Sequence, residues 1–203
     1  MNGALIAFEG IDGGGKSTQL ARLASALRRT GHEVVETREP YAGSPATARI
    51  RAMARGGDPV AAETELDWFL AQRRDHVREV IAPAVARGAL VLSDRYYLST
   101  VAYQGARGEL AWEELLARHE EAGFPAPDLV LLFDLDPVQA LARVDGRPSV
   151  AEPVFERADL LARVREIFLA IDRPYIVRID ASRSADDVAV AVSEAVRARL
   201  GAR

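Results

Sequence analysis

The most constraining feature of the chain is a glycine-rich stretch near its start, where residues 10–17 read Gly-Ile-Asp-Gly-Gly-Gly-Lys-Ser. An apolar run at Ala4–Glu9 precedes this stretch and a helical pattern over 16–30 follows it, which gives the order strand, loop, helix. Glycines allow several backbone N–H groups to point at one set of phosphate oxygens, and the following helix adds its positive end. The order predicts a loop that binds the phosphates of a nucleoside triphosphate.

Residue types within this loop have distinct expected roles. Lys16 reaches the β- and γ-phosphates, and Ser17 supplies a hydroxyl ligand for Mg²⁺. Lys16 is also the only lysine in 203 residues, so the chain lacks the Asn-Lys-x-Asp segment with which GTPases read guanine. ATP is therefore the expected nucleotide, and the residues predicted to bind it here are Gly10, Ile11, Asp12, Gly13, Gly14, Gly15, Lys16, Ser17 and Thr18.

Strand and helix signals alternate along the rest of the chain. Apolar runs at 33–37, 89–93, 129–134 and 175–179 predict four more strands. Helical patterns separate them at 44–55, 61–87, 99–104, 110–122, from Pro137 onwards, at 158–171 and at 184–200, and Pro83 is expected to bend or break the longest. This alternation predicts an α/β fold, a five-stranded parallel sheet flanked by helices in three layers. Because no linker divides the chain, we expect one domain over residues 1–203.

Charged residues follow three of the predicted strands. Lys16 lies after the first, Arg38 after the second, and the pair Asp94-Arg95 after the third. Ligands bind at the carboxyl ends of strands in such sheets, so these side chains are expected to face one crevice. Asp94 is placed to hold Mg²⁺ together with Ser17, and Arg95 to neutralise phosphate charge. The cluster suits two phosphate-bearing substrates.

Phe69 and Arg73 lie four residues apart on the longest predicted helix and therefore on one face of it. An aromatic ring beside a planar donor is suited to gripping a nucleobase. The competing interpretation places Phe69 in the core and Arg73 in solvent, and helix periodicity alone favours that competing interpretation.

Taken together, these residues resemble the thymidylate kinases, enzymes that phosphorylate dTMP to dTDP with ATP. The resemblance covers essentially the whole chain. It rests on the segments 8–18, 38–40 (Arg-Glu-Pro), the Phe69/Arg73 helix, 94–105 (Asp-Arg-Tyr-Tyr-Leu-Ser-Thr-Val-Ala-Tyr-Gln-Gly) and 127–137. The segment 94–105 is the most specific, since other nucleoside monophosphate kinases share the phosphate loop without it. The implied fold is the three-layer P-loop kinase sandwich.

For the acceptor nucleoside, the resemblance implies that Phe69 stacks on thymine and that Arg73 hydrogen-bonds its edge. Gln104 would meet the polar edge of the same base, with Ser99 nearby. Tyr103 would pack against the deoxyribose where a 2′-hydroxyl would sit, which favours deoxynucleotides.

For the phosphates, the resemblance implies that Arg38 and Arg95 hold the acceptor phosphate and that Asp12 contacts the sugar hydroxyl of dTMP. Arg143 would pack on the adenine of ATP. A short lid at about 145–156 would supply Arg147, its only basic residue, as a catalytic group beside Lys16 and Arg95. The family also implies a homodimer.

The chain departs from the family pattern at two positions. The family usually reads Arg-Glu-Pro-Gly-Gly-Thr, whereas Tyr41 follows Pro40 here. Some members carry an arginine in the phosphate loop at the position of Gly13, and members without it supply positive charge from the lid.

Composition limits the remaining classes of function. The net charge is −4 without a basic run, which argues against nucleic acid as a partner. There are no cysteines, and the three histidines lack metal-ligand spacing. With neither a signal-peptide pattern nor an apolar stretch of membrane-spanning length, we expect a cytoplasmic protein without a membrane partner. The alternatives are a kinase for another nucleoside monophosphate or for a deoxynucleoside, and a non-catalytic ATP-binding regulatory module.

Overall fold

The computed structural model describes residues 3–56, 58–145 and 154–201, and within them five strands form one sheet. The strands are β1 (Ala4–Glu9), β2 (Val34–Arg38), β3 (Leu90–Asp94), β4 (Leu129–Asp134) and β5 (Ile176–Asp180). Their order in the sheet is β2-β3-β1-β4-β5, and each neighbouring pair is parallel. The predicted α/β fold with a five-stranded parallel sheet is confirmed.

Helices cover both faces of this sheet. They are α1 (Lys16–Arg29), α2 (Pro45–Ala54), α3 (Ala62–His76), α4 (Ala82–Ala86), α5 (Tyr97–Arg107), α6 (Trp112–Glu121), α7 (Pro137–Asp145), α8 (Val154–Ala170) and α9 (Ala185–Gly201). Helices α1 and α9 pack together, while α5 packs against α3, α6 and α8. Right-handed crossovers between parallel strands place these two groups on opposite faces.

The core follows from the apolar strands. Every residue of β1, β3 and the first five residues of β4 is buried, as expected for parallel strands covered on both faces. Strand β1 lies between β3 and β4, so the chain leaves β1 at the point where the strand order reverses direction. This is the crevice in which open α/β sheets bind ligands.

The longest predicted helix, 61–87, is one continuous helical stretch with an irregular centre. Helix α3 passes into a π-helical turn at Val77–Ile81 and then into α4, so the irregularity begins before Pro83. Proline lacks the N–H that would bond to the carbonyl four residues earlier, at Glu79, and a π-helical turn is one way to accommodate that lost bond.

Two helices are longer than the sequence predicts. Helix α5 begins at Tyr97 rather than at residue 99 and continues to Arg107. Helix α8 begins at Val154, four residues before the predicted start. Residues 146–153 of the predicted lid, Arg147 among them, lie outside the described residues, whereas its ends at 145 and 154–156 belong to α7 and α8. Within the described ranges, none of the helices is long and apolar enough to cross a membrane.

Candidate active site

The phosphate loop joins β1 to α1, and its glycines adopt backbone conformations that other residues avoid. Gly10 has φ 129° and Gly13 has φ 87°. A Cβ atom at Gly13 would also clash with the Ala140 carbonyl of α7. The loop therefore rests against α7, and a side chain at Gly13 would require the loop or α7 to shift.

Lys16 is folded back over the loop that carries it. Its Nζ donates hydrogen bonds to the carbonyls of Gly10, at 3.0 Å, and Ile11, at 2.8 Å. Only 6% of the side chain is exposed, and this burial lowers the pKa of Lys16 to about 8 despite the neighbouring Asp12 and Asp94 carboxylates. The ammonium group is thus held at the mouth of the loop, where phosphate oxygens would replace the two carbonyls as its partners.

Ser17 and Asp94 lie together, as predicted for a Mg²⁺ site. The Ser17 Oγ donates to Asp94 Oδ2 at 2.6 Å, although the two residues are 77 positions apart. Both groups present hard oxygen ligands, and Mg²⁺ typically takes one or two such ligands and completes its shell with water and substrate phosphates. The two side chains fit the ion that the sequence predicts.

A cavity of about 680 Å³ opens beside the phosphate loop. Six of the residues predicted to bind the acceptor nucleotide line it, namely Asp12, Phe69, Arg95, Ser99, Tyr103 and Gln104. Its volume falls in the range of small-molecule sites. Helices α3 and α5 form much of its wall, through Glu65 and Phe69 of α3 and through Ser99, Thr100, Tyr103, Gln104 and Arg107 of α5.

Buried polar atoms without partners lie at one end of the cavity wall and directly behind it, where Arg73 bonds to the lining residues Glu39 and Thr100. Both side-chain polar atoms of Gln104 are buried and make no hydrogen bond within the described part of the chain, and the same holds for Nη1 of Arg73. Buried polar groups in proteins are nearly always paired. Phe69 is half-buried at the same wall. The arrangement suits a flat ligand with hydrogen-bonding groups along one edge.

Arg73 is 1% exposed, so the interpretation that it is solvated is wrong. Its Nε and Nη2 donate to the Glu39 carboxylate, and Nη2 also donates to Thr100 Oγ1 at 2.9 Å. The guanidinium lies over the ring of Tyr96, with 5.4 Å between Cζ and the ring centroid. These contacts leave Nη1 as its one unused donor nitrogen. Phe69 lines the cavity, as the nucleobase interpretation requires.

Arg95 lies at the other end of the cavity, next to the phosphate loop. Its Nη2 donates to Asp12 Oδ1 at 2.7 Å and its Nη1 to Ser99 Oγ at 2.8 Å. The guanidinium lies over the Tyr103 ring, with 5.0 Å between Cζ and the ring centroid. Arg95 is also the one described non-glycine residue with positive φ, 73°. Such strain is typical of functional positions held by their surroundings.

The remaining predicted residues lie around this centre. Arg38 is exposed at the end of β2, where it pairs in register with Asp94, but it does not line the cavity. Burial works to raise the pKa of Asp12, yet Arg95, Lys16 and Arg38 together hold it below its ordinary value. Arg143 lies on α7 and donates to the Ala181 carbonyl at 3.0 Å. Thr18 is exposed in the first turn of α1.

Sequence reasoning missed four residues of this site. Glu39, Tyr96 and Thr100 line the cavity, and Glu9 lies buried beneath it. One signal for Glu9 was available in the sequence, since a carboxylate ends an otherwise apolar strand. Glu39, Tyr96 and Thr100 lie within the segments 38–40 and 94–105 on which the resemblance rests, but no role was predicted for them.

Comparison with known proteins decides the family. A sequence profile described as thymidylate kinase matches residues 8–192. A thymidylate kinase of Desulfotalea psychrophila is 44% identical over 186 residues, covering 92% of this chain and 90% of the relative. The chain belongs to the thymidylate kinase family. Enzymes of that name from Xanthomonas campestris pv. campestris and Ruegeria pomeroyi are 46% and 45% identical, each over 98% of this chain and over 88% and 96% of their own lengths.

Membership of the thymidylate kinase family makes the chain a phosphotransferase of the nucleoside monophosphate kinase class.

Tyr41, where the chain departs from the usual family pattern, packs against α3. The Tyr41 ring stacks on His76, with centroids 5.0 Å apart, and its N–H donates to Gln72 Oε1 at 2.8 Å. Its hydroxyl donates to Glu79 Oε2 at 3.2 Å. The side chain therefore points along α3 and does not line the cavity. In this family member the residue after Arg-Glu-Pro therefore packs against α3 outside the cavity.

Proposed function

We propose that this protein transfers the γ-phosphoryl group of ATP to dTMP, giving dTDP and ADP for the synthesis of dTTP. The observation that carries the proposal is a set of unpartnered buried groups beside the half-buried Phe69. They are the Gln104 amide on the cavity wall and Arg73 Nη1, whose guanidinium bonds to the lining residues Glu39 and Thr100.

The choice of base follows from the donor and acceptor properties of these groups. A guanidinium donates hydrogen bonds and accepts none. Arg73 therefore suits the carbonyl oxygen O4 of thymine or uracil and disfavours the amino group that cytosine carries at that position. The Gln104 amide offers a donor and an acceptor, so it accommodates the N3–H edge of the same base. Phe69 would stack on the ring, while Ser99 lies nearby.

The choice of sugar and the hold on the acceptor phosphate belong to the other end of the cavity. Tyr103 is placed to pack on the deoxyribose and Asp12 to contact its hydroxyl. Arg95, with Arg38 from the end of β2, would hold the 5′-phosphate. Because Arg95 is already fixed by Asp12 and Ser99, little side-chain entropy is lost when the phosphate binds.

Transfer then requires positioning and charge neutralisation. An acceptor phosphate oxygen forms a bond to the γ-phosphorus as the bond to the bridging oxygen breaks, and ADP leaves. A phosphate acceptor is already ionised, so no strong general base is needed. Lys16 and Arg95 would neutralise the developing charge, and Mg²⁺ held by Ser17 and Asp94 would add to this when bound. Arg143 is assigned to adenine and Arg147 to the lid.

The experiment that tests this function compares acceptors. We expect the purified protein, with ATP and Mg²⁺, to phosphorylate dTMP faster than dUMP, UMP or dCMP, as followed by ADP release. Lys16→Ala is the loss-of-transfer control. Preference for a cytosine nucleotide would overturn the assignment, and ATP binding without ADP release with any monophosphate would favour the regulatory-module alternative. Light scattering of the same sample tests the homodimer that the family implies.

A variant of Phe69 tests the assignment of the base site within the same assay. Phe69→Ala is expected to raise the KM for dTMP roughly tenfold and to leave the KM for ATP within about twofold, because stacking on a base contributes only to acceptor binding. Trp68→Ala is the matched control, since Trp68 is the adjacent aromatic residue and contacts Arg49 outside the cavity. Equal effects on both KM values would indicate that Phe69 is structural.

A further inference from the structure

Glu9 is the last residue of β1 and is completely buried, with an exposed fraction of 0%. Glu9 does not itself line the cavity, but three hydrogen bonds converge on it from Tyr96 and Ser99, which do. Its Oε1 accepts from the backbone N–H of Tyr96, at 2.9 Å, and of Ser99, at 3.2 Å. Its Oε2 accepts from the Ser99 hydroxyl.

These bonds make Glu9 a cap for helix α5 supplied by a distant strand. The first N–H groups of a helix have no partner within the helix, and an acceptor side chain normally supplies one. Tyr96 immediately precedes α5 and Ser99 is its third residue, but no side chain of that turn caps the helix. Glu9 takes this place, although it lies 87 positions before Tyr96 and 90 positions before Ser99 in the chain.

The same carboxylate fixes the direction of the Ser99 hydroxyl. Because Ser99 Oγ donates its hydrogen to Glu9, its lone pairs are free to accept from Arg95 Nη1, at 2.8 Å. The backbone of Arg95 is held from β1 as well, since its N–H donates to the Phe8 carbonyl at 3.0 Å. Two consecutive residues at the end of β1 therefore hold the turn in which Arg95 adopts φ 73°.

We propose that Glu9 is a positioning residue for the acceptor phosphate, acting through the Ser99 hydroxyl and the capped turn to fix the Arg95 guanidinium. The proposal rests on the proposed function, in which Arg95 holds the phosphate of dTMP. Glu9 itself contacts no substrate. Its removal should therefore weaken the part of acceptor affinity that comes from the phosphate and leave the part that comes from the nucleoside.

Binding of dTMP and of thymidine by calorimetry separates these two parts, because thymidine lacks the phosphate. In Glu9→Gln, whose amide keeps the size of the side chain but turns a donor towards Ser99, dTMP affinity is expected to fall roughly tenfold, the loss typical of one hydrogen bond to a charged group. Thymidine affinity should stay within about twofold. Asp128→Asn is the matched control, since the Asp128 carboxylate accepts the Leu5 N–H at the opposite end of β1.

Ser99→Ala and the double variant test the route by which Glu9 acts. Ser99→Ala should produce the same selective loss of dTMP affinity, and the double variant should lose no more than the worse single variant, because both changes break one chain of contacts. If Glu9→Gln does not fold, Ser99→Ala alone carries the test, through the selective loss of dTMP affinity over thymidine affinity. Equal losses of dTMP and thymidine affinity, or additive losses in the double variant, would overturn the proposal. A wild-type protein that binds no dTMP would instead contradict the proposed function.

Discussion

Glu9 and Glu39 are both buried glutamates at the carboxyl ends of strands, and each holds one arginine, Glu39 directly and Glu9 through Ser99. Their surroundings differ in one respect. Glu39 directly contacts the Arg73 guanidinium, the Gln72 amide at 3.1 Å and the His76 ring at 3.0 Å. Glu9 contacts two backbone amides and one hydroxyl, all of them neutral, and reaches Arg95 only through Ser99.

This difference reverses the direction of the pKa shift. Burial raises the pKa of Glu9 to about 7, because hydrogen bonds from neutral donors and the more distant Arg95 charge do not offset the loss of solvation. Burial also acts to raise the pKa of Glu39, but the adjoining Arg73 and His76 outweigh it and hold that pKa below its ordinary value. Direct contact with a cation therefore decides whether the pKa of a buried carboxyl group in this site lies below or above its ordinary value.

The largest expected effect comes from removing the charge of Glu39. Glu39→Gln leaves the Arg73 guanidinium, which is 1% exposed, without its counter-ion, and this should lower the free energy of unfolding by about 3 to 5 kcal/mol at pH 7.5. Urea denaturation measures the change. Glu36→Gln is the control on the same strand, because its pair with Arg28 is exposed and should contribute less than about 1 kcal/mol. A loss of unfolding free energy for Glu39→Gln as small as that of the control would contradict the importance of the buried Glu39–Arg73 pair.

The pH dependence of stability distinguishes the two glutamates next. The pKa of Glu9 rises from 4.5 to about 7 on folding, so its contribution is most favourable below pH 4.5 and is lost as the pH rises through 7. The shift corresponds to roughly 3 kcal/mol. The folded pKa of Glu39 is lowered, so its contribution is present above pH 4.5 and is lost as the pH falls through the folded value.

Unfolding free energies of wild type, Glu9→Gln and Glu39→Gln between about pH 2 and pH 9 measure these opposite slopes. Subtracting each variant from wild type removes the titrations that the substitution leaves unchanged. Lys16 is not one of these for Glu9→Gln, because the Glu9 charge acts to raise the pKa of Lys16. The advantage of wild type over Glu9→Gln should shrink as the pH rises, and its advantage over Glu39→Gln should shrink as the pH falls. Parallel slopes would show that the two environments do not differ as described.

The same contrast explains which parts of the fold and site the sequence predicts. The phosphate loop is formed by neighbouring residues, since the strand, the glycines, Lys16 and the helix follow one another in the chain. The sequence motif alone is therefore sufficient to predict the loop. The five strands are apolar runs and were placed within a residue or so of their bounds. The start of α8 was missed because the preceding Pro153 signals a loop, although a helix can begin directly after a proline.

Contacts made by Glu9 and Glu39 join residues far apart in the chain, and no spacing rule predicts them. Glu9 meets Ser99 across 90 positions and Glu39 meets Arg73 across 34. The resemblance to thymidylate kinases supplies expected roles for Arg73 and Arg95, but the carboxylates behind them become visible only when β1, β2, α3 and α5 are packed together. The role of Arg147 stays a prediction.

The smallest expected effect concerns Tyr41. It stacks on His76, which belongs with Gln72 and Arg73 to the group of side chains bonded to Glu39, here called the Glu39 cluster. Its ring covers His76, and a Cβ atom on Gly43 would clash with it, so the ring is packed between α3 and the loop after β2. Tyr41→Phe keeps this stacking and loses only the hydroxyl contact with Glu79, which should change the unfolding free energy by less than about 0.5 kcal/mol. Tyr41→Gly, which restores the usual family residue, also loses the stacking and should cost about 1 to 2 kcal/mol.

The selectivity for the acceptor provides a second measurement on the same variants. Neither variant should alter the ratio of kcat/KM for dTMP to that for dUMP by more than about twofold, because Tyr41 does not line the cavity. A change in that ratio with unchanged stability would instead make Tyr41 part of the acceptor site, and it would mean that the Glu39 cluster transmits the position of the Tyr41 ring to Arg73.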